Sequence, residues 1–218
     1  MHRDLTIPSG VDVLIHAGDF TTHGNTDHAD DLNQWFGELK RSLGIQHVIV
    51  VYGNHEHRSE AKTEYNPFAS RIHRVLSNAT FLQDESKTLQ VQLNDKTTVA
   101  FNVHGTDFYW STTVPRSEYA NIPFNTHVLV AHNPPHNTVD GRKGRKGRKI
   151  ENVGCPALRR RVDALSKGGH LKLVVSGHVH SAHGKWTDGK VTVWNAANCD
   201  DEDGHHGKIG FFAEMFTL

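Results

Sequence analysis

Two histidines, His178 and His180, follow an apolar run over residues 171–176 and stand in a short turn that begins with Gly177. Imidazole nitrogen is the commonest metal ligand in proteins near neutral pH, and this spacing lets both rings face one point. Because the chain contains 18 histidines, one such pair can arise by chance. The pair predicts a metal site only if other ligand types gather beside it.

Three further apolar runs end on residues that can bind a metal ion, in the order Asp19, Asn54 and His132. Four strands that each end on a ligand type predict a metal site at one edge of a sheet. The predicted metal-binding residues are Asp19, Asn54, His132, His178 and His180.

The chemistry of this set narrows the choice of ion. Carboxylate, amide oxygen and imidazole together suit Mn²⁺, Fe²⁺ or Zn²⁺, and the lack of a thiolate argues against a closed structural zinc site. A carboxylate on a turn can bridge two ions about 3.5–4 Å apart, and such a pair clamps a phosphoryl group for in-line displacement. A water acidified by both ions would then be the nucleophile.

His55 is the predicted catalytic residue. It follows the ligand Asn54, so its side chain is expected to point elsewhere, toward the substrate. With a pKa near neutrality, it can protonate a departing alkoxide or stabilise the developing charge.

Each predicted ligand also has a purely structural interpretation. Asp19 can cap a turn, and Asn54 after Gly53 is a common turn residue. His132, before two prolines, can be a hydrogen-bonded histidine at a strand end. The metal hypothesis is preferred because the structural interpretation requires five residues of ligand type to lie at strand ends by chance.

The apolar pattern predicts the elements that position these residues. Buried strands are predicted at residues 11–17, 47–52, 127–131 and 171–176, antiparallel strands within 80–103, and a closing pair of strands at 191–194 and 209–216. Helices are predicted at 27–43 and 154–167, with a weaker candidate at 60–76 that Pro67 interrupts. Parallel strand–helix–strand units followed by hairpins predict two packed sheets with helices outside.

The composition predicts a soluble enzyme or binding domain. At 218 residues we expect one domain, over residues 1–218. Basic and acidic residues both number 24, so net charge gives no general attraction to nucleic acid or an anionic membrane. Two widely separated cysteines favour a reducing, cytoplasmic location. We expect neither a membrane span nor a signal peptide.

Two segments have an open role. Residues 141–149 contain three Gly-Arg-Lys triplets and predict a solvated loop, or alternatively a flap that contacts phosphate or a surface that binds RNA. RNA is not the expected partner, because net charge is zero and no aromatic stacking motif is present. Phe108, Tyr109 and Trp110 could stack on a substrate base, but burial in the core is the usual use of such rings.

The motifs around Gly18-Asp19, Gly53–Glu56, His132 and Gly177–His180 resemble, in this order, those of the calcineurin-like metallophosphoesterase family. With the runs at residues 14–19, 153–155 and 195–199, the pattern is most similar to the branch called metallophosphoesterase-domain-containing proteins. The resemblance implies a four-layer α/β/β/α sandwich with a di-metal centre that hydrolyses phosphomonoesters or phosphodiesters. It implies that Asp19 is the bridging carboxylate, that Asn54, His132 and His178 complete one ion site, that His180 binds the second ion, and that His55 is catalytic.

One family motif has no counterpart. The family begins with a strand that ends in Asp-x-His, and no Asp-x-His precedes Asp19. We therefore expect that the first strand is missing from a shortened chain, with a damaged centre as the alternative. The expected function is metal-dependent hydrolysis of small phosphate esters, with a preference for diesters. The alternative is a single-metal module that binds phosphate or a nucleotide without catalysis.

Overall fold

The computed structural model describes residues 2–21, 24–56, 74–108, 117–142, 150–200, 208–209 and 217. Its strands are β1 (Val13–His16), β2 (His47–Val50), β3 (Thr80–Phe81), β4 (Glu85–Gln92), β5 (Thr98–Gly105), β6 (Val128–Val130), β7 (Gly141–Arg142), β8 (Glu151–Asn152), β9 (Leu173–Ser176), β10 (Gly184–Thr187), β11 (Thr192–Asn195), β12 (Cys199–Asp200) and β13 (Lys208–Ile209). Its helices are α1 (Thr26–Leu43), α2 (Ser117–Ala120) and α3 (Pro156–Gly168), with 3₁₀ turns at His2–Asp4 and His180–Ala182.

Two sheets carry the strands that lead to the predicted ligands. The first has the order β1-β2-β3 and is parallel. The second has the order β10-β11-β9-β6-β5-β4, with parallel pairing from β11 through β5 and antiparallel hairpins at both ends. β1 and β2 therefore lie in one sheet, while β6 and β9 lie in the other.

Alternating side chains divide the core into three apolar layers. In the segment of β2, Val48 and Val50 contact the core beside α1, whereas Ile49 and Val51 point to the space between the sheets. The same period of two recurs in β9, where Val174 faces α3. Helix, sheet, sheet and helix follow one another, which confirms the predicted four-layer α/β/β/α sandwich.

Both long helices have sequence-encoded ends. The Asn25 side chain accepts hydrogen bonds from the first turn of α1, and Gly44 ends the helix with a φ of +73°. In α3, Pro156 occupies the first turn, and the sulfur of Cys155 accepts the Leu158 N–H. These signals confirm the helices predicted at 27–43 and 154–167.

Most predicted elements are present, and three predictions need comment. Residues 60–73 of the weak helix candidate, residues 143–149 of the basic segment and residues 210–216 of the last predicted strand lie outside the described residues. The strand predicted at 191–194 was expected to pair with 209–216. It is β11, which pairs with β9 and β10, while Ile209 belongs to β13, which pairs with β12. Within the described part of the chain, no helix is long and apolar enough to cross a membrane.

Candidate metal centre

The predicted ligands do not come from the edge of one sheet, as the sequence suggested, but from the facing edges of two. Asp19 and Asn54 follow strands of the β1-β2-β3 sheet, while His132 and His178 follow β6 and β9 of the other. The two sheets pack face to face, so the carboxyl ends of these four strands meet.

The loop after β1 turns sharply to present Asp19. Gly18 and Asp19 both have left-handed backbone conformations, with φ angles of +92° and +57°. A Cβ atom on Gly53, in the loop after β2, would overlap the Asp19 carboxylate. Glycine at this position therefore lets the carboxylate lie against the backbone of the neighbouring loop.

A buried carboxylate, that of Glu56, joins the same two loops. Its Oε2 accepts the backbone N–H groups of Asp19 at 2.9 Å and Gly53 at 2.8 Å. Its Oε1 accepts the backbone N–H and the hydroxyl of Thr21, both at 2.8 Å. Burial and the nearby Asp19 carboxylate raise the pKa of Glu56, and the donated hydrogen bonds oppose this rise. Glu56 thus fixes the positions of both ligand-bearing loops.

The His132 ring has an orientation that suits a metal ligand. Its Nδ1 lies 2.6 Å from the carbonyl oxygen of Ala17, so Nδ1 must carry the hydrogen and donate. Its Nε2 lies 3.1 Å from Asp19 Oδ2 and 3.2 Å from Asn54 Oδ1. In a neutral ring this Nε2 bears a lone pair, so three electron-rich atoms face one another. Such an arrangement needs a cation, either a proton or a metal ion.

Ionisation in the metal-free protein follows from the same contacts. Burial alone would lower the pKa of His132, but the Asp19 carboxylate outweighs burial and raises it. Burial alone would likewise raise the pKa of Asp19, but His132 and His55 hold it below its usual value. The pair therefore attracts a proton in the place where a divalent ion would compete for the same atoms.

His178 completes the cluster from the other side of Asn54. Its Nδ1 lies 2.7 Å from Asn54 Oδ1, and its left-handed φ of +66° turns the side chain inward. Burial, with His132 nearby, lowers the pKa of His178 to about 4. The ring is therefore neutral at physiological pH, which is the form that binds a metal ion.

The structure thus brings together four of the five predicted ligands. Asp19, His132 and His178 each offer a ligand atom, and these atoms all lie within 4.8 Å of one another. The side-chain oxygen of Asn54 lies between the two rings. Among the described residues, His180 is not a member of this group and begins the next 3₁₀ turn. The donor set of carboxylate, amide and imidazole fits a divalent ion.

His55 lies at the border of the cluster. Its backbone N–H donates to Asp19 Oδ1 at 2.8 Å, and its ring Nε2 lies 3.9 Å from Asp19 Oδ2. The side chain is 27% exposed, so the ring can be reached from solvent. This position is compatible with the predicted contact to a substrate.

Phe108 contacts the cluster directly. Its ring centroid lies 5.4 Å from that of His132 and 5.5 Å from that of His178, and the residue is buried. Phe108 therefore packs in the core, as expected, but specifically against two candidate ligands. Tyr109 and Trp110 lie outside the described residues.

Two further residues were not singled out from the sequence. The first is Glu56, and the second is Asn195, whose buried amide donates to the carbonyls of Val139 at 3.1 Å and Val179 at 2.8 Å. Its oxygen accepts the Ala197 N–H at 3.0 Å. A signal exists for both, because Glu56 ends the run of residues 53–56 and Asn195 begins the run of residues 195–199, and both runs belong to the family resemblance.

Comparison with known proteins agrees with this geometry. A family model described as calcineurin-like phosphoesterase matches residues 1–182. The chain therefore belongs to the calcineurin-like phosphoesterase family, whose members use divalent metal ions, and the resemblance seen in the sequence is confirmed.

Proteins from animals align with most of this chain. Metallophosphoesterase domain-containing protein 1 of Homo sapiens is 29% identical over 222 residues, which cover 89% of this chain and 62% of the human protein. UPF0046 protein K07C11.7 of Caenorhabditis elegans is 31% identical over 210 residues, which cover 91% of this chain and 66% of that protein. The chain thus spans just under two thirds of the length of these relatives. A crystal structure of TT1561 from Thermus thermophilus aligns with a TM-score of 0.46 at 12% identity, over 86% of this chain and 77% of that one.

Proposed function

We propose that this chain is a metal-dependent phosphoesterase that hydrolyses small phosphate esters and prefers diesters. Family membership supports the general class. The observation that carries the proposal is the position of His132 Nε2, within 3.2 Å of two oxygen atoms while Nδ1 donates to a carbonyl. An arrangement of this kind is satisfied by a proton on Nε2 or by a metal ion that takes its place.

The residues that would hold the ion are those of the cluster. We propose Asp19, Asn54, His132 and His178 as ligands of one divalent ion, and His180 as a ligand of a second. A bound ion supplies an acidified water and neutralises charge on the phosphoryl group. The protein contributes by fixing the rings, since the Ala17 carbonyl sets the tautomer of His132 and Glu56 fixes the loops.

His55 is the proposed catalytic acid. Its ring is partly exposed beside Asp19, so it can reach the leaving oxygen of an ester without displacing a ligand. In its protonated form the ring would transfer a proton to that oxygen as the bond to phosphorus breaks. General acid catalysis of this type typically contributes about 10²–10⁴-fold in rate.

The test is hydrolysis of an aryl phosphodiester by purified protein with and without Mn²⁺. We expect activity only with the metal, and His55→Ala should lower kcat about 100-fold while metal content stays unchanged. His47→Ala is the matched control, because His47 starts β2 at the opposite end of the sheet. Absence of hydrolysis of any ester at full metal occupancy would show that the enzyme proposal is wrong.

A second candidate is a single-ion module that binds phosphate or a nucleotide without turnover. It is favoured by one observation, that His180 stands outside the group formed by Asp19, His132 and His178. Metal analysis separates the candidates, because about one ion per chain favours the module and about two favour two-ion catalysis.

Domain organisation and location are part of the proposal. We propose one domain over residues 1–218, and a reducing cytoplasmic location is supported by the low cysteine content, with only Cys155 and Cys199 at widely separated positions of the sequence. The ion identity, for which Mn²⁺, Fe²⁺ and Zn²⁺ all suit the donor set, is to be read from metal analysis of the purified protein.

A further inference from the structure

A histidine–carboxylate pair lies in the loop that follows His132. The Nδ1 atom of His136 is buried and lies 3.3 Å from Oδ2 of Asp140, which is within ion-pair distance but without the geometry of a hydrogen bond. Asp140 is 1% exposed, and its carboxylate accepts the backbone N–H groups of Asn137 and Thr138 at 3.1 Å and of Gly154 at 2.9 Å. The carboxylate is therefore fixed, and it lies beside one nitrogen of the imidazole ring.

The backbone of His136 is also held on both sides. Its N–H donates to the Cys155 carbonyl at 3.2 Å, and its own carbonyl accepts from Arg159 Nη1 at 3.4 Å. Arg159 donates in addition to the Asn137 carbonyl at 3.3 Å. A side chain on a backbone held in this way can contact a ligand with little loss of conformational entropy.

The contacts of this loop place it beside the segment that carries the last two candidate ligands. The amide of Asn195 donates to the carbonyl oxygens of both Val139 and Val179, so these two oxygens are neighbours. Farther along, the Ser181 hydroxyl donates to the carbonyl of Gly141 at 3.1 Å. The loop with the pair therefore borders the metal cluster on the side of residues 178–181.

The His136 side chain is 32% exposed to solvent, although its Nδ1 atom is buried. The exposed surface therefore belongs to the other atoms of the side chain, which include Nε2. Nothing in the metal cluster itself uses this nitrogen. A protonated ring with one nitrogen beside a carboxylate still has the N–H of its other nitrogen, which can donate a charge-assisted hydrogen bond to an anion.

We propose that His136, which lies beside Asp140, is a substrate-contacting residue that binds a phosphoryl oxygen of the ester through Nε2. The inference rests on the proposed function, in that the anion is the phosphate of the substrate. It adds to the centre a binding residue that is neither a metal ligand nor the catalytic acid.

The experiment uses Mn²⁺-loaded full chain and inorganic phosphate as the probe. Titration calorimetry should show about 10-fold weaker phosphate binding for His136→Ala, since hydrogen bonds to charged groups are worth about 1.5–3 kcal/mol. His136→Gln, which keeps an N–H donor near the position of Nε2, should recover part of the affinity. His170→Gln is the control, because His170 is exposed near the amino end of β9. Metal content should be the same in all four proteins.

Two results would overturn the inference. One is phosphate affinity of His136→Ala within twofold of the wild type, and the other is a loss of metal that parallels the loss of phosphate. Imidazole nitrogen NMR of the wild-type protein, assigned with His136→Gln, gives a test that needs no folded alanine variant. Phosphate must shift the His136 Nε2 signal, and an unchanged signal refutes the contact.

Failure of the inference can be told apart from failure of the proposed function. Hydrolysis that persists with a normal KM in His136→Ala contradicts the inference alone. Phosphate binding that depends on His136, in a protein without hydrolysis of any ester, contradicts the enzyme proposal alone.

Discussion

Oε2 of Glu56 accepts the backbone N–H of Asp19 at 2.9 Å, although the two residues are separated by 37 positions in the chain. The same carboxylate binds Gly53 and Thr21, so one side chain connects the loop after β1 to the loop after β2. The candidate ligands Asp19 and Asn54 therefore keep their relative positions through a residue that contacts no ion itself.

Glu56→Gln should destabilise the protein and weaken metal binding. The substitution places an NH₂ group against backbone N–H donors in a buried position, where donors without acceptors are costly. We expect a loss of about 2–4 kcal/mol in the free energy of unfolding, measured by urea denaturation. Mn²⁺ affinity, measured by titration calorimetry, should fall as well.

Glu85→Gln is the matched control, because Glu85 is exposed in β4. Its free energy of unfolding should stay within about 0.5 kcal/mol of the wild type. Equal behaviour of the two variants would show that Glu56 does not connect the loops as described.

The strands could be predicted because burial on both faces requires a continuous run of apolar residues in the sequence. In β2 and β9 the apolar residues run without interruption, and short parallel strands between two layers require this composition. The four candidate ligands could be found for the same reason, since each follows such a run either directly or after one glycine.

The role of Glu56 could not be predicted, because it acts through backbone N–H groups. Any residue type at positions 19, 21 and 53 offers this donor, so no side-chain pattern records the contact. For His180, the expectation was that both rings face one point from a short turn that begins with Gly177. In the structure His178 has a φ of +66°, a 3₁₀ turn begins at His180, and His180 is not a member of the group formed by Asp19, His132 and His178.

Phe108→Leu should loosen the two rings that Phe108 contacts. A smaller side chain leaves space beside His132 and His178, whose planes are now fixed by edge contacts at 5.4 and 5.5 Å. We expect Mn²⁺ affinity to fall several-fold, about 1 kcal/mol, in titration calorimetry. Phe124→Leu, at a position that is 56% exposed, should leave affinity unchanged. If Phe108→Leu binds Mn²⁺ with wild-type affinity, the Phe108 ring fills the core but does not position the two histidines.

Mn²⁺ should stabilise the folded chain. An ion that binds only the native state adds about 2.7 kcal/mol to the free energy of unfolding at a free concentration 100 times its Kd. Thermal denaturation with Mn²⁺ and then with a chelator measures the effect. His132→Ala should abolish it, and His47→Ala, whose ring bonds the Gln90 carbonyl at 2.8 Å, should preserve it. A stabilisation that survives His132→Ala would place the ion elsewhere.

His104 should make the protein sensitive to acid independently of the metal cluster. The ring is buried with its Nδ1 2.8 Å from the Ser86 hydroxyl, and burial lowers the pKa of His104 to about 4 from an ordinary value of 6.5. Because the folded-state pKa lies below that of the unfolded chain, the neutral ring contributes stability above pH 6.5 that is lost as the pH falls toward 4. Between pH 7.5 and 4.5 the loss should be about 2 kcal/mol.

Urea denaturation at both pH values measures this loss in the free energy of unfolding. In His104→Asn the loss should be smaller than in the wild type by this amount. His170→Asn, at an exposed position, should behave like the wild type. If His104→Asn loses as much stability on acidification as the wild type, protonation of this ring is not what makes the fold sensitive to acid.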